Sequence, residues 1–328
     1  MRLRKPKLNK YSIYFTILVI FIVVEILIMS PKTLERPDDE FNEFDKIQAL
    51  AQSQKSDMTE QKMAGVHLVE NSENQKGWEL FATEAVGASN AQWVLKKVRV
   101  QFFTQDNSSF IVTGDVGEID GATKDMIVRG QVVTKSSNGY VFKTDSLKYI
   151  AATKKMTSSD AVYMEGPEDK NGFGFKLNGV GLLVDVVKNK MNILSQVEAF
   201  KTIENKNFNL KSENAEFSNK SQEALFSGQV NMIFGKSRVE APRAFFTYSP
   251  QTHNLQKILL NVGVKLFEEN KKATCDELEF NLEEDRMTLR GKPYVVQDQD
   301  EIRGQEIVFT EGGKKMKINK ATLSGEKK

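Results

Sequence analysis

Between Gly77 and Gly325 apolar and polar residues alternate with a period of two, in runs separated by clusters of small and polar residues. Runs such as Trp93-Val94-Leu95-Lys96-Lys97-Val98-Arg99-Val100-Gln101-Phe102 and Met126-Ile127-Val128-Arg129-Gly130-Gln131-Val132 put every second side chain on one face, as in a strand with one side buried. Turn clusters such as Gln105-Asp106-Asn107-Ser108-Ser109 and Ser136-Ser137-Asn138-Gly139 bound them. No long stretch of this region carries the apolar stripe of a helix, so the pattern predicts an all-β body.

The runs recur as a strand-turn-strand unit of roughly thirty residues. Its openings, in order, are Trp78–Ala82, Phe110–Gly114, Tyr140–Thr144, Phe173–Leu177, Phe208–Ser212, Ser237–Ala241, Lys272–Asp276 and Asp300–Gly304. Such a period implies an array in which each unit buries its apolar face against its neighbours. Second strands repeat a small-x-apolar pattern at Gly130-Gln131-Val132 and Gly228-Gln229-Val230, with the variant Gly291-Lys292-Pro293. Glycine within a strand marks a bend or a close backbone approach, and Pro293 suits an edge or bulge. Bends at the same place in every hairpin fold it over, giving two stacked antiparallel sheets with one inner face, a V-shaped β-jelly roll. The units over residues 63–200 are ragged in spacing, those over 201–325 more regular, and the polar stretch Lys201-Thr202-Ile203-Glu204-Asn205-Lys206-Asn207 reads as a joint between two tandem β modules, or within one continuous sheet stack.

The start of the chain has a different pattern. The apolar run from Tyr11 to Met29 would span about 28 Å as a helix, which matches the hydrocarbon thickness of a bilayer. Arg2, Arg4, Lys5, Lys7 and Lys10 lie on its N-terminal side only, so the positive-inside rule predicts residues 1–10 in the cytoplasm, a transmembrane helix over 11–30 and the rest across the membrane. The apolar stretch is too long for a cleaved signal peptide, and no small-x-small cleavage site follows it. Glu25 sits within the span, where a carboxylate either snorkels to the interface or faces polar groups of a membrane partner. Residues 31–62 are acidic and polar, with Phe41, Phe44, Ile47 and Leu50 spaced three apart, and read as a linker or a short helix.

Composition mainly excludes. Of 328 residues, 40% are hydrophobic and the formal charge is +2, which gives a large core and no global attraction to nucleic acid. Cys275 is the single cysteine, so no disulfide forms within the chain, and it reads as a small buried residue. His67 and His253, the two histidines, lie far apart and without ligand spacing, which argues against a metal site or a histidine-based triad. Gly235-Lys236-Ser237 lacks the glycine a phosphate-binding loop needs five positions before Gly235, since Val230 stands there. Neither catalytic residues nor a cofactor is expected, and the acid clusters Glu268-Glu269 and Glu283-Glu284-Asp285 read as solvated turns.

Several segments carry a resemblance. Gly77-Trp78-Glu79-Leu80-Phe81-Ala82-Thr83-Glu84-Ala85, Gly139-Tyr140, Thr144-Asp145-Ser146-Leu147-Lys148-Tyr149 and Ser159-Asp160-Ala161-Val162 before Glu165-Gly166-Pro167, all behind one anchor, resemble the LptC family of lipopolysaccharide export proteins. Phe208-Asn209-Leu210-Lys211-Ser212-Glu213-Asn214-Ala215-Glu216-Phe217 and Leu225-Phe226-Ser227-Gly228-Gln229-Val230 resemble the related LptA/OstA periplasmic repeat. A typical LptC-like protein would end near Phe200, so the second half is either a fused LptA-like module or a lineage-specific extension.

The resemblance implies a non-enzymatic lipid conduit. A single-pass protein of a bacterial inner membrane, its body in the periplasm, would accept lipopolysaccharide from an inner-membrane ABC transporter. It would hold the acyl chains between its sheets and pass them to an LptA-like bridge protein. The inward phase of the openings and second strands then nominates Trp78, Leu80, Phe110, Val112, Tyr140, Phe142, Phe173, Phe175, Phe208, Leu210, Phe226, Val230 and Val239 as groove residues, with Val98, Val128, Val132 and Leu289 beside them. Ordinary sheet-on-sheet core competes with lipid contact at each of these. Lys96, Lys97, Arg99, Lys154 and Lys155 are candidates for lipid phosphates. Strand edges near Val66 and Leu68, and near Ile318 and Leu323, would pair with the transporter and the bridge protein. The alternative is an envelope scaffold that assembles by edge pairing and holds no lipid.

Overall fold

The computed structural model describes residues 61–319, except 73–74, 88–91, 105–107, 169–173, 204–205, 219 and 253. The expected membrane helix with Glu25, the linker up to residue 60, Phe173, His253 and Leu323 lie outside the described residues. The described residues form strands joined by turns. In order they are β1 (Gln61–Ser72), β2 (Gln75–Gly87), β3 (Gln92–Phe103), β4 (Ser109–Asp120), β5 (Met126–Ser136), β6 (Val141–Ile150), β7 (Lys155–Glu165), β8 (Lys176–Asp185), β9 (Lys190–Ile203) and β10 (Lys206–Ser212). The series continues with β11 (Asn214–Ser218), β12 (Glu223–Phe234), β13 (Ser237–Tyr248), β14 (Leu255–Phe267), β15 (Lys271–Asn281), β16 (Arg286–Arg290), β17 (Tyr294–Gln297), β18 (Asp300–Arg303), β19 (Glu306–Thr310) and β20 (Lys315–Asn319).

All pairings are antiparallel, and together they make one continuous ladder. It runs from β1 through β9; β9 then pairs with both β10 and β11, and these two share β12. Beyond β15 it divides again, β16 carrying β19 and β20 while β17 carries β18. The polar stretch around Lys201–Asn207 is the β9–β10 hairpin, with Ile203 opposite Lys206.

A fold line crosses this ladder. Register slips between Thr113 and Val116, Arg129 and Val132, Ser227 and Val230, and Asn261 and Val264. The three glycine motifs lie on it. Gly130 and Gln131 have φ of 77° and 46°, Gly228 and Gln229 80° and 47°, and Gly291 and Lys292 74° and 54°. A left-handed pair of residues turns the strand sharply, which the extended backbone cannot do. Each glycine also faces an acid of the neighbouring strand or of the bend within it. A Cβ on Gly130 would meet the Asp115 carboxylate at 2.9 Å, and one on Gly228 the Glu213 carboxylate at 2.4 Å. Gly291 faces Asp276 in the same way, and the amides of Glu213 and Asp276 donate to the carbonyls of Gly228 and Gly291 at 2.9 and 3.1 Å. Pro293 lies in the break between β16 and β17, where no ladder amide is needed.

The fold line divides the ladder into two limbs that face one another. Phe208 of β10 meets Phe246 of β13 across the gap, with ring centroids 6.0 Å apart, and Phe102 meets Tyr149 at 4.8 Å. Toward the C-terminal end the Lys271 ammonium lies 4.6 Å from the Phe309 ring centroid. Between the limbs one apolar core runs from Val66 to Phe309. This is the V-shaped all-β jelly roll that the glycine spacing predicts.

One opening differs from the expectation. The fourth unit's strand starts at Lys176, and Gly174 and Phe175 lie before it, where a Cβ on Gly174 would come within 1.8 Å of the Gly166 carbonyl oxygen. That close backbone approach, with the Gly166 amide donating to the Phe175 carbonyl at 2.8 Å, closes a loop where the alternation suggests strand.

A candidate lipid-binding cleft between the limbs

Where the limb tips of the central strands approach, they leave an apolar cleft enclosing about 100 Å3. The first limb contributes Phe110, Thr134, Ser136, Asn138, Tyr140, Phe142 and Met164. The second contributes Leu147, Met156, Leu182, Val184 and Met191 as floor, Phe217 and Tyr248 as far wall, and Asn189, Lys190, Ser218, Gln222 and Glu223 at the rim. Strand alternation explains the division of labour. On β6, β7 and β8 the inward phase carries Phe142, Leu147, Met156, Met164 and Leu182, whereas the rim residues sit in or beside the turns that end β5, β8 and β11. Tyr140 and Phe142 stack with centroids 6.4 Å apart, and Phe217 meets Phe226 edge-on at 5.9 Å, so the wall stands on the core.

Electrostatics are mild inside and paired at the rim. Burial pushes the Tyr140 hydroxyl above the usual tyrosine range, so it stays neutral. The Glu216 carboxylate, 2.7 Å from the Lys190 ammonium, holds that lysine charged and above its usual range. Asn189 at the β8–β9 turn donates across the gap to the Ser108 hydroxyl at 3.3 Å, tying the two limb tips together beside the cleft.

The expected groove residues divide into two sets. Phe110, Tyr140 and Phe142 line the cleft. Trp78, Leu80, Val112, Phe208, Leu210, Phe226, Val230 and Val239 are at most 4% exposed and fill the core between the limbs, as do Val98, Val128, Val132 and Leu289. Phe175 packs against that core beside Phe208 and Phe226. The sequence reading did not single out Met156, Met164, Leu182, Met191, Phe217 and Tyr248. It followed the inward phase of the unit openings, whereas these residues lie elsewhere along the strands, some of them past the fold line, where an inserted bulge residue resets the count.

The other candidates lie away from the cleft. Lys97 pairs with Asp115 at 2.5 Å, the Arg99 guanidinium lies over the Phe81 ring, and none of the five candidate phosphate-binding bases lines the cleft. Gly235-Lys236-Ser237 is the β12–β13 turn, with Lys236 on Glu269 at 2.9 Å and Ser237 on Glu268 at 2.8 Å. His67 bonds Glu79 at 2.7 Å and stacks on Phe81, and among the described residues no group of three or more potential ligands could hold a metal. At the edges, Val66 faces the core, Leu68 is 38% exposed on β1, and Ile318 of β20 packs against the core.

Comparison with known proteins matches two families to successive parts of the chain. Residues 18–202 match the family described as lipopolysaccharide-assembly, LptC-related. Residues 209–314 match the family of LptA and LptD N-terminal domain lipopolysaccharide transport proteins. Among solved structures, LptH of Pseudomonas aeruginosa, the LptA homologous periplasmic component of its lipopolysaccharide transport device, is similar at 16% identity and a TM-score of 0.32, over 36% of this chain and 85% of that chain. No curated protein matches the chain. The first match spans more than half of the sequence, and the chain belongs to the LptC-related family of lipopolysaccharide-assembly proteins.

Proposed function

We propose that this protein carries lipopolysaccharide by holding its acyl chains between the two limbs and handing them to the next jelly roll. The observation that carries the reading is the apolar cleft at the limb tips, set in a chain of this family and walled by Phe110, Tyr140, Phe142, Met191 and Phe217. Each acyl methylene moved there from water contributes about 0.8 kcal/mol. In this reading the lipid enters between the limb tips, where the Asn189–Ser108 bond closes one edge of the cleft.

In this reading residues 11–30 anchor the chain in the inner membrane and residues 63–200 form the LptC-like module. Its β1 edge receives the lipid from an inner-membrane ABC transporter. Residues 201–325 form the LptA-like module, and the β20 edge pairs with a separate bridge protein. The match of residues 209–314 to a lipopolysaccharide transport family supports this assignment of the second half. No catalytic step is required.

Photo-crosslinking in cells tests the reading. A photoreactive residue at Phe142 should give lipopolysaccharide adducts, whereas one at the core position Phe226 should give none. Adducts to protein alone at Phe142 would overturn the conduit in favour of a scaffold.

A further inference from the structure

Above its apolar floor the cleft has a rim of neutral hydrogen-bonding groups. Ser136 and Asn138 stand on the first limb, facing Asn189, Ser218 and Gln222 on the second. Their hydroxyls and carboxamides can each both donate and accept. The charges among the described lining residues are Lys190 and Glu223, one of each sign. Lys190 is already engaged by Glu216 at 2.7 Å and Glu223 also acts on it through space, so the cation on this part of the rim is offset by two carboxylates. A phosphate arriving there meets both carboxylates and must displace a charge-assisted bond. An amide, ester carbonyl or hydroxyl instead meets groups such as Asn189, which donates to Ser108, and Ser218, which accepts from the Ser221 amide, each keeping a further donor or acceptor position.

We infer that the rim is a subsite for the neutral linkage groups of an acylated glycolipid, the amides, esters and hydroxyls that join chains to sugar, and that the lipid's phosphates remain in solvent and are not read at this cleft. The inference rests on the acyl-chain reading above. Geometry supports the placement, since the linkage groups of a lipid whose chains fill the floor must lie at rim height.

The test uses the full chain in detergent and two probes, an acylated diglucosamine phosphate lipid and the same lipid with its phosphates removed. The two dissociation constants should agree within about threefold, and neither should move more than about threefold between roughly 0.05 and 0.5 M salt. A loss of about tenfold or more on removing the phosphates overturns the inference. Glu223→Lys, an exposed rim change, should create a preference of about fivefold for the phosphorylated lipid, and unchanged selectivity in that variant counts equally against the charge argument. Crosslinking from position 142 separates the two levels. Adducts with both lipids but phosphate-dependent affinity defeat only the rim subsite, whereas no adduct with either lipid defeats the acyl-chain reading with it.

Discussion

Gly228 shows how much of this fold is carried by single backbone positions. Its φ of 80° costs an alanine about 1–2 kcal/mol in left-handed strain. Its Cβ would also lie 2.4 Å from the Glu213 carboxylate, which the bend holds in place. Gly235 has a φ of 59° but nothing closer than 3.6 Å, so the two glycines separate strain from crowding. Gly228→Ala should therefore lower stability by at least about 1 kcal/mol more than Gly235→Ala in urea unfolding, and equal losses would show that the acid opposite contributes nothing. Cys275 makes a second prediction at this scale. Burial pushes its thiol up to about 12, against about 8.5 in an unfolded chain. Between those values the folded state keeps a proton that the unfolded state releases, so this residue's contribution is intact below about pH 8.5 and is lost as pH rises toward 12. The folded protein should resist a thiol reagent at about pH 8 and react at the rate of its unfolding, and the alkaline loss of stability should be shallower in Cys275→Ala.

At the scale of the strands, Phe226 and Phe142 separate support from function. Phe226 is fully buried on β12 and touches Phe175, Phe217 and Phe246, whereas Phe142 on β6 is half-buried at the cleft. Phe226→Ala should cost about 3–5 kcal/mol of stability, as a deleted core aromatic does. Phe142→Ala should unfold at clearly lower cost yet weaken lipid binding, measured with a fluorescent acyl probe. The reverse ranking would mean that the cleft is only core. This contrast also marks what the sequence discloses. Alternation places Phe142 and Phe226 on inward faces, and the Gly130, Gly228 and Gly291 motifs locate the fold line, because period and turn chemistry are local properties. Which inward residues leave space is not local. Sheet twist brings the first-limb segments of β4 to β7 over second-limb segments reaching from β6 to β13, so Phe110 faces Met191 and Phe217 from strands far along the chain. No spacing within a single unit encodes that offset, and Tyr248 could not be assigned to the cleft before the limbs were seen together.

The described strands form one ladder whose C-terminal end divides in two, and its dynamics should follow from that. Among the described strands each inner one is held on both sides, while β1 pairs with β2 alone, β18 with β17 and β20 with β19. The middle strands also carry the cross-limb aromatic contacts, with Phe208 from one limb on Phe246 of the other. In an array stabilised by nearest-neighbour contacts, opening is cheapest at the ends and dearest where both limbs interlock. Amide exchange should thus be fastest in β1, β18 and β20 and slowest in β10, β12 and β13. Lipid loading adds a condition that distinguishes a conduit from a rigid scaffold. A lipid entering between the tips separates them, breaking the Asn189–Ser108 bond before the fold-line ladders are touched. Bound lipid should then speed exchange at the turns around Ser108 and Asn189 while leaving the amides of Glu213 and Asp276 protected. Uniform protection on lipid addition would mean that the limbs close on the lipid, and the parting of the tips would have to be abandoned.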